Sequence, residues 1–287
     1  MNKKILGLAG ILFFALACGL TAPATTVPAE QSVETIVAAT FSALTASAPP
    51  VAEATQTSEQ LTPDGTPVNT AEVSFLIPNG IANDATSVTN TEVEYPFVNP
   101  SNGDMPQHVK LTLNLYALNG TQFEPHILIF RAAEYAQYTE NTASIVNEMQ
   151  SLQYVDGQPL PEKLGSDFMA QIHAVNFKNG HGVRYLTQVF MNFQAVNNTE
   201  LHYYYQGMTD DGKYYVQAIL PINAPFLAAD GDPNGTLPAD GIPFNGDDFP
   251  GYLNAVAQKL NSTDTFSFTP YLEHLDAMIE SMQVTGY

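Results

Sequence analysis

The sequence predicts an α+β fold in which helices pack on an antiparallel β-sheet. The main observation is a run of four apolar, aromatic-rich segments over residues 171–221, separated by short turns of Asn, Asp and Gly. Parallel strands must be joined by a long crossover connection, and these turns are too short to form one. The run is therefore predicted to be a four-strand antiparallel meander. The second observation is an apolar stripe at helical spacing near the end of the chain, formed by Leu272, Leu275, Ile279 and Met282.

Three strands and one helix are predicted before the meander. The first strand is expected at Glu72–Ile77. Alternation of apolar and polar residues over Val109–Leu115 predicts a second strand, with one face in solvent. The segment His126–Phe130 is apolar on both faces, which is typical of a central strand. A helix is expected at Ala132–Leu152.

The meander itself and two closing helices make up the rest of the predicted domain. Its strands are expected at 171–178, 182–193, 201–208 and 213–221. A long loop over 222–248, rich in Pro, Gly and Asp, follows them. One closing helix is expected at Pro250–Leu260, and the other is expected to begin with Thr269 as N-cap and Pro270 as its first residue.

The start of the chain has the three parts of an export signal. Lys3 and Lys4 supply positive charge, and Ile5–Leu16 is an apolar segment too short to span a bilayer. Small residues follow, and the single cysteine of the chain, Cys18, comes directly after them. The motif Ala15-Leu16-Ala17-Cys18 resembles the lipobox of bacterial lipoproteins processed by signal peptidase II, although the commonest lipobox has its Leu one place earlier.

This resemblance implies that residues 1–17 are a lipoprotein signal peptide and that the sulfur of Cys18 carries a diacylglycerol after cleavage. The mature chain is then expected in the cell envelope, attached to the lipid bilayer on its extracytoplasmic face. The alternative is an ordinary secretory signal, because Ala15 and Ala17 also fit the A-x-A pattern. Lipidation is favoured because a secreted chain rarely keeps one unpaired thiol.

Residues 18–70 are predicted to form a tether that leads to a single globular domain at 71–287. The tether is rich in Ala, Thr, Pro and Ser and contains no Lys or Arg, a composition that buries too little apolar surface to fold. Within it, apolar residues at helical spacing predict a short amphipathic helix at 29–46. This helix is expected either to have no partner or to associate with itself.

The charge balance excludes some classes of partner. Nine Lys and Arg against 29 Asp and Glu give a formal net charge of −20, and removal of Lys3 and Lys4 with the leader makes it −22. Such a chain repels nucleic acid, whose recognition needs clustered Lys and Arg. It also gains nothing from an anionic lipid surface. The excess of acid favours either solubility alone or affinity for divalent cations or cationic partners.

The loop over 222–248 contains the strongest metal-site pattern. Its oxygen-bearing residues follow the opening of an EF-hand calcium loop: Asp230, Asp232, Asn234, Thr236 and Asp240. The bidentate Glu expected at the twelfth position is replaced by Gly241. The pattern therefore predicts a calcium site or, as the alternative, a solvated turn held by Asx hydrogen bonds that needs no metal.

Tyrosines occur on both faces of the predicted meander. Tyr203, Tyr205 and Tyr215 are candidate ligand-binding rings, because an exposed tyrosine pairs a flat apolar face with a hydroxyl and can stack on a sugar or peptide. The alternative for each ring is packing in the core. Tyr204 points to the opposite side of its strand from Tyr203 and Tyr205.

No motif identifies a catalytic centre, and three functions remain open. The chain has no G-x-S-x-G elbow and no histidine pair at a helical metal spacing. The favoured function is a non-catalytic binding or interaction domain whose partner is an envelope protein or a glycan. The alternatives are an envelope hydrolase with two carboxylates about 5–10 Å apart, and a structural envelope protein ordered by calcium. The domain resembles PsbP/Mog1-like exported domains over residues 165–285, through its meander, amphipathic helix and closing strand.

Overall fold

The computed structural model describes residues 64–94 and 105–287, and it confirms an α+β fold built on antiparallel sheets. Several sequence predictions lie outside these residues, namely the leader, Cys18, the helix at 29–46 and the tether up to residue 63. Within the described part of the chain, no helix is long and apolar enough to cross a membrane.

The described residues form ten strands and four α-helices. In chain order they are β1 (Gly65–Asn69), β2 (Val73–Pro78), β3 (Asp84–Asn90), β4 (His108–Asn114), β5 (His126–Arg131), α1 (Ala132–Tyr135), α2 (Glu140–Gln150), β6 (Ala170–Ala174), β7 (Gly180–Thr187), β8 (His202–Thr209), β9 (Tyr214–Pro221), α3 (Phe249–Ser262), α4 (Leu272–Glu280) and β10 (Gln283–Val284).

Seven of these strands form the main sheet, in the order β3-β4-β5-β9-β8-β7-β6. Strands β6 to β9 lie side by side and antiparallel, which confirms the predicted meander. Strand β5 pairs with β4 on one side and β9 on the other, and its five residues from His126 to Phe130 are all buried. The prediction of a central strand there is therefore confirmed. A smaller sheet has the order β1-β2-β10, and its strand β2 corresponds to the strand predicted at Glu72–Ile77.

The two faces of the seven-stranded sheet pack against different layers. On the inner face, a large core joins the sheet to the smaller sheet and to the apolar sides of α3 and α4. On the outer face, a second core joins the sheet to α1, α2 and the short 3₁₀ helix Glu162–Leu164. Side chains along a strand alternate between faces. On β8, for example, Tyr203 and Tyr205 belong to the inner core and Met208 to the outer core.

Two strands were not predicted from the sequence. Strand β1 lies in what the composition predicted to be tether, and its backbone pairs with β2 from Gly65 to Asn69. The folded domain therefore begins before residue 71. Strand β3 runs along the edge of the main sheet, where most of its polar side chains face solvent. An edge strand needs little apolar alternation, and its sequence therefore carried no strand signal.

The predicted helix bounds at Ala132 and Thr269 are wrong in detail. The segment after β5 is two helices, because Thr139 is extended and caps α2 through a reciprocal pair of hydrogen bonds with Thr142. The last helix begins at Leu272. Its N-cap is therefore Tyr271 and not Thr269, whose backbone N–H and C=O exchange hydrogen bonds with Asn223 at 3.0 and 2.8 Å.

Candidate ligand-binding cleft

The outer face of the meander is covered at one end and open at the other. Helices α1 and α2 cover the end that holds Met208 and Tyr215. At the opposite end a cleft of about 360 Å³ remains open above β7 and β8. Its floor consists of Tyr185, Thr187, His202, Tyr204 and Gln206, and its walls come from α2, from residues 163–167 and from Val189.

Strand register brings the floor residues together. Tyr185 and Thr187 on β7 stand directly opposite Tyr204 and His202 on β8. Directly paired residues in antiparallel strands share a face, and all four side chains therefore lie on the outer face. The rings of Tyr185 and Tyr204 have centroids 5.3 Å apart. Two phenol groups are thus placed side by side in the cleft.

A hydrogen-bond network holds most of the floor in place. The Nε2 of Gln217, on β9, donates to the Tyr204 hydroxyl at 2.6 Å. The Tyr215 hydroxyl donates to Oε1 of Gln206 at 3.3 Å, and Nε2 of Gln206 donates to the carbonyl of Leu164 at 2.5 Å. Both polar ends of Gln206 are therefore committed to the protein, and they fix the 3₁₀ helix against the sheet.

Tyr185 differs from the other floor residues. Only 3% of the residue is accessible, and it lines the cleft. Its hydroxyl makes no hydrogen bond to any residue in the described ranges. The residue as a whole is buried, but its hydroxyl oxygen is not among the fully enclosed atoms that lack a partner, and it is therefore open to solvent. The cleft is where the Tyr185 hydroxyl can find a hydrogen-bond partner.

The floor of the cleft is uncharged near neutral pH. Burial lowers the pKa of His202 to about 4, although its Nδ1 lies 2.9 Å from the carbonyl of Glu200. Burial also raises the pKa of Tyr185 and Tyr204, and both phenols therefore keep their protons. The ionisable groups of the walls are Lys163, which pairs with Glu162 at 3.2 Å, and Asp167.

The three predicted ligand-binding tyrosines are buried, and the prediction that they offer an exposed surface is wrong. Tyr203, Tyr205 and Tyr215 each have 0% accessibility. The first two lie in the inner core, where their hydroxyls reach Asp276 at 3.0 Å and the carbonyl of Val175 at 3.1 Å. Tyr215 faces the outer side, but it is stacked under Tyr135 of α1 at 4.8 Å. Core packing, the alternative weighed for each ring, describes all three.

The tyrosines that line the cleft are instead Tyr185 and Tyr204, whose side chains point to the opposite face of the sheet from Tyr203 and Tyr205. Alternation along β8 shows that Tyr204 faces away from Tyr203 and Tyr205. The sequence contained no signal for which of the two faces a helix would cover. That depends on where α2 and residues 163–167 pack, which is a tertiary property.

The Asp-rich loop adopts local turns. Oδ1 of Asp230 accepts from the backbone N–H of Asp232 at 3.1 Å, and Oδ1 of Asp232 accepts from that of Asn234 at 2.9 Å. Asp240 pairs with Lys259 at 3.3 Å. These are the Asx turns of the metal-free alternative. In the parts of the chain that the structure describes, no group of three or more His, Cys, Asp or Glu could hold a metal.

Calcium ligation by Asp230, Asp232, Asn234, Thr236 and Asp240 therefore gains no support from the described geometry. The hydrolase alternative needs two carboxylates in one pocket, and Asp167 is the single carboxylate on the described lining of the cleft. Asp156 is engaged elsewhere, because it contacts His173 and accepts from the backbone N–H of Ala174. The outer-face cleft thus contains no carboxylate pair among its described residues.

Comparison with known proteins adds no relative. No family model, no curated protein and no solved structure matches this chain. The resemblance of Ala15–Cys18 to a lipobox and that of residues 165–285 to PsbP/Mog1-like domains both stay predictions. The function therefore has to be argued from the residues of the cleft and from the leader.

Proposed function

We propose that this protein is a lipid-anchored extracytoplasmic binding protein that holds a small polar ligand in the outer-face cleft and does not catalyse a reaction. The observation that carries the binding role is the Tyr185 hydroxyl, which belongs to a residue that lines the open cleft and has no hydrogen-bond partner in the described chain. The anchoring role is supported by the leader and by the position of Cys18 directly after it.

The chemistry of the cleft favours binding over turnover. A hydrolase of the acid–base type needs a group whose pKa lies near the working pH. None of the buried groups here has a pKa near neutrality. The pKa of His202 is about 4, and burial raises the pKa of the Tyr185 and Tyr204 phenols above the usual value for tyrosine. Gln206 and Thr187 are engaged with backbone carbonyls. These internal hydrogen bonds hold the floor in place and leave the Tyr185 hydroxyl to bond a ligand, which suits recognition.

The anchor and the cleft can be tested separately. For the anchor, cells are labelled with radioactive palmitate, and the mature protein is analysed by mass spectrometry. Wild-type protein should be labelled and recovered with membranes, whereas Cys18→Ser should be unlabelled and processed differently or left uncut. A free thiol at position 18 of the mature wild-type protein would contradict the anchoring role.

For the cleft, the full-length protein in detergent is screened against neutral polar fragments by ligand-observed NMR. Asn141 lies on the wall of the cleft and is exposed, and Asn141→Trp should fill the cleft without disturbing the core. Fragments that bind wild type should lose their signal with this variant. Tyr271→Trp is the matched control, because Tyr271 is 46% exposed and is not part of the cleft lining. Equal binding to Asn141→Trp and wild type would contradict the proposed site.

A further inference from the structure

The proposed binding role can be taken one step further, to the chemical class of the ligand. We infer that the outer-face cleft recognises a neutral N-acetylated sugar, with the Tyr185 hydroxyl donating to the acetamido carbonyl. This inference rests on the proposed function, since it names the ligand of the same cleft. Three properties of the cleft carry it: its hydrogen-bonding groups, its lack of charge and its apolar wall.

The hydrogen-bonding groups call for a ligand rich in oxygen. The Tyr185 phenol keeps its proton and has no acceptor in the described chain, and it therefore needs an acceptor atom on the ligand. An amide carbonyl is a strong neutral acceptor. Asn141 and Ser166 stand at the wall with amide and hydroxyl groups. Such groups can both donate and accept, which matches ring hydroxyls and an amide N–H.

The electrostatics of the cleft select against charged ligands. The floor carries no charge near neutral pH, and the one cation of the described walls, Lys163, is already paired with Glu162. Asp167 on the same wall would repel an anion. The chain as a whole, at a net charge of −20, adds to that repulsion. A cationic amine would leave the Tyr185 hydroxyl without an acceptor, because an ammonium group donates only.

The apolar wall and the size of the cleft favour an N-acetylated sugar over a plain polyol. Ile145 and Val189 line the cleft beside the polar floor, and they offer a surface to the acetamido methyl group. The partly exposed ring of Tyr204 offers a flat apolar surface that suits a pyranose. A volume of about 360 Å³ is at the lower end of small-molecule sites and fits one or two sugar rings.

The experiment compares three probes on the full-length protein in detergent: N-acetylglucosamine, glucose and glucosamine. Affinities are measured by isothermal titration calorimetry and ligand-observed NMR. N-acetylglucosamine should bind most tightly, and glucosamine should bind at least tenfold more weakly because its ammonium group cannot accept a hydrogen bond. Tyr185→Phe removes one oxygen and should weaken N-acetylglucosamine binding about three- to tenfold.

A further variant tests the contact of the acetamido methyl group with Val189, and a second serves as its control. Val189→Ser should weaken N-acetylglucosamine binding and leave glucose binding unchanged, because only the acetamido sugar has a methyl group for that wall. Tyr271→Phe, outside the cleft, is the control and should bind all three probes as wild type does. Thermal melts of every variant confirm that a loss of binding is not a loss of folding.

The outcomes distinguish this inference from the proposed function. Equal affinity for glucose and N-acetylglucosamine, or unchanged binding by Tyr185→Phe, overturns the N-acetylated-sugar inference. If none of the sugars binds but other fragments bind in a way that Asn141→Trp abolishes, this inference falls and the binding function stands. If neither sugars nor fragments bind, both fall.

Discussion

Tyr203 and Tyr204 are neighbours on strand β8, yet their hydroxyls lie in different surroundings. Tyr203 points to the inner face and donates to Asp276, which also binds the buried Arg184. Tyr204 points to the outer face beside Tyr185, whose hydroxyl has no partner among the described residues. These three polar groups of the inner face satisfy each other, whereas the Tyr185 hydroxyl of the outer face bonds to no described residue. We therefore expect the Tyr203 hydroxyl to contribute to stability and the Tyr185 hydroxyl to contribute to binding.

The largest effect is expected from the inner-face ion pair. Arg184 reaches the two carboxylate oxygens of Asp276 at 3.0 and 2.9 Å, and its side chain is only 4% exposed. Asp276→Asn leaves the guanidinium buried without its counterion, which should cost about 3–5 kcal/mol in the free energy of unfolding. Urea denaturation measures it. Glu134→Gln breaks the exposed pair with Arg131 and should cost less than about 1 kcal/mol. A wild-type midpoint for Asp276→Asn would contradict the inner-face role.

The outer face should make the protein sensitive to acid. Burial lowers the pKa of His108 and His126 and that of His202, the last from 6.5 to about 4. At His202, the unfolded chain therefore takes up a proton below pH 6.5 that the folded chain does not accept until about pH 4. The stability contributed by neutral His202 is complete above pH 6.5 and is lost as the pH falls, by about 3 kcal/mol.

Urea denaturation between pH 7.5 and 4 checks this dependence on pH. His202→Gln should reduce the slope of stability against pH in that range, because one of the titrating groups is removed. Asn141→Gln, at an exposed position that carries no titrating group, is the control and should keep the wild-type slope. An unchanged slope in His202→Gln would show that His202 is not the group that titrates.

A smaller effect separates two tyrosine hydroxyls. Tyr203→Phe removes a buried hydrogen bond to the Asp276 carboxylate and should cost about 1–3 kcal/mol in urea. Tyr185→Phe removes a hydroxyl that bonds to no described residue, and its stability should stay within about 0.5 kcal/mol of wild type. If Tyr185→Phe is as destabilising as Tyr203→Phe, the Tyr185 hydroxyl supports the fold and is not held for a ligand.

The sequence could predict the fold more fully than the cleft, for a physical reason. Periodicity and turn chemistry act within a few residues, and they were enough to predict the meander and the central position of His126–Phe130. The cleft depends on which face α2 covers and where it ends. Because the helices pack over one end of this face, Tyr215 is buried under Tyr135, whereas Tyr185 lines the cleft.

The smallest effect on stability is expected from added calcium. This experiment tests whether the Asp-rich loop, and not only the cleft, binds a ligand. Thermal melts with calcium and with chelator should have the same midpoint, because the carboxylates of Asp230 and Asp232 accept backbone N–H groups and Asp240 pairs with Lys259. A ligand that binds only the native state at 100 times its Kd adds about 2.7 kcal/mol to stability. An unfolding midpoint that is several degrees higher with millimolar calcium, and that returns to the chelator value in Asp232→Asn, would show that the loop binds calcium. A metal that binds only the folded chain must raise its stability in this way.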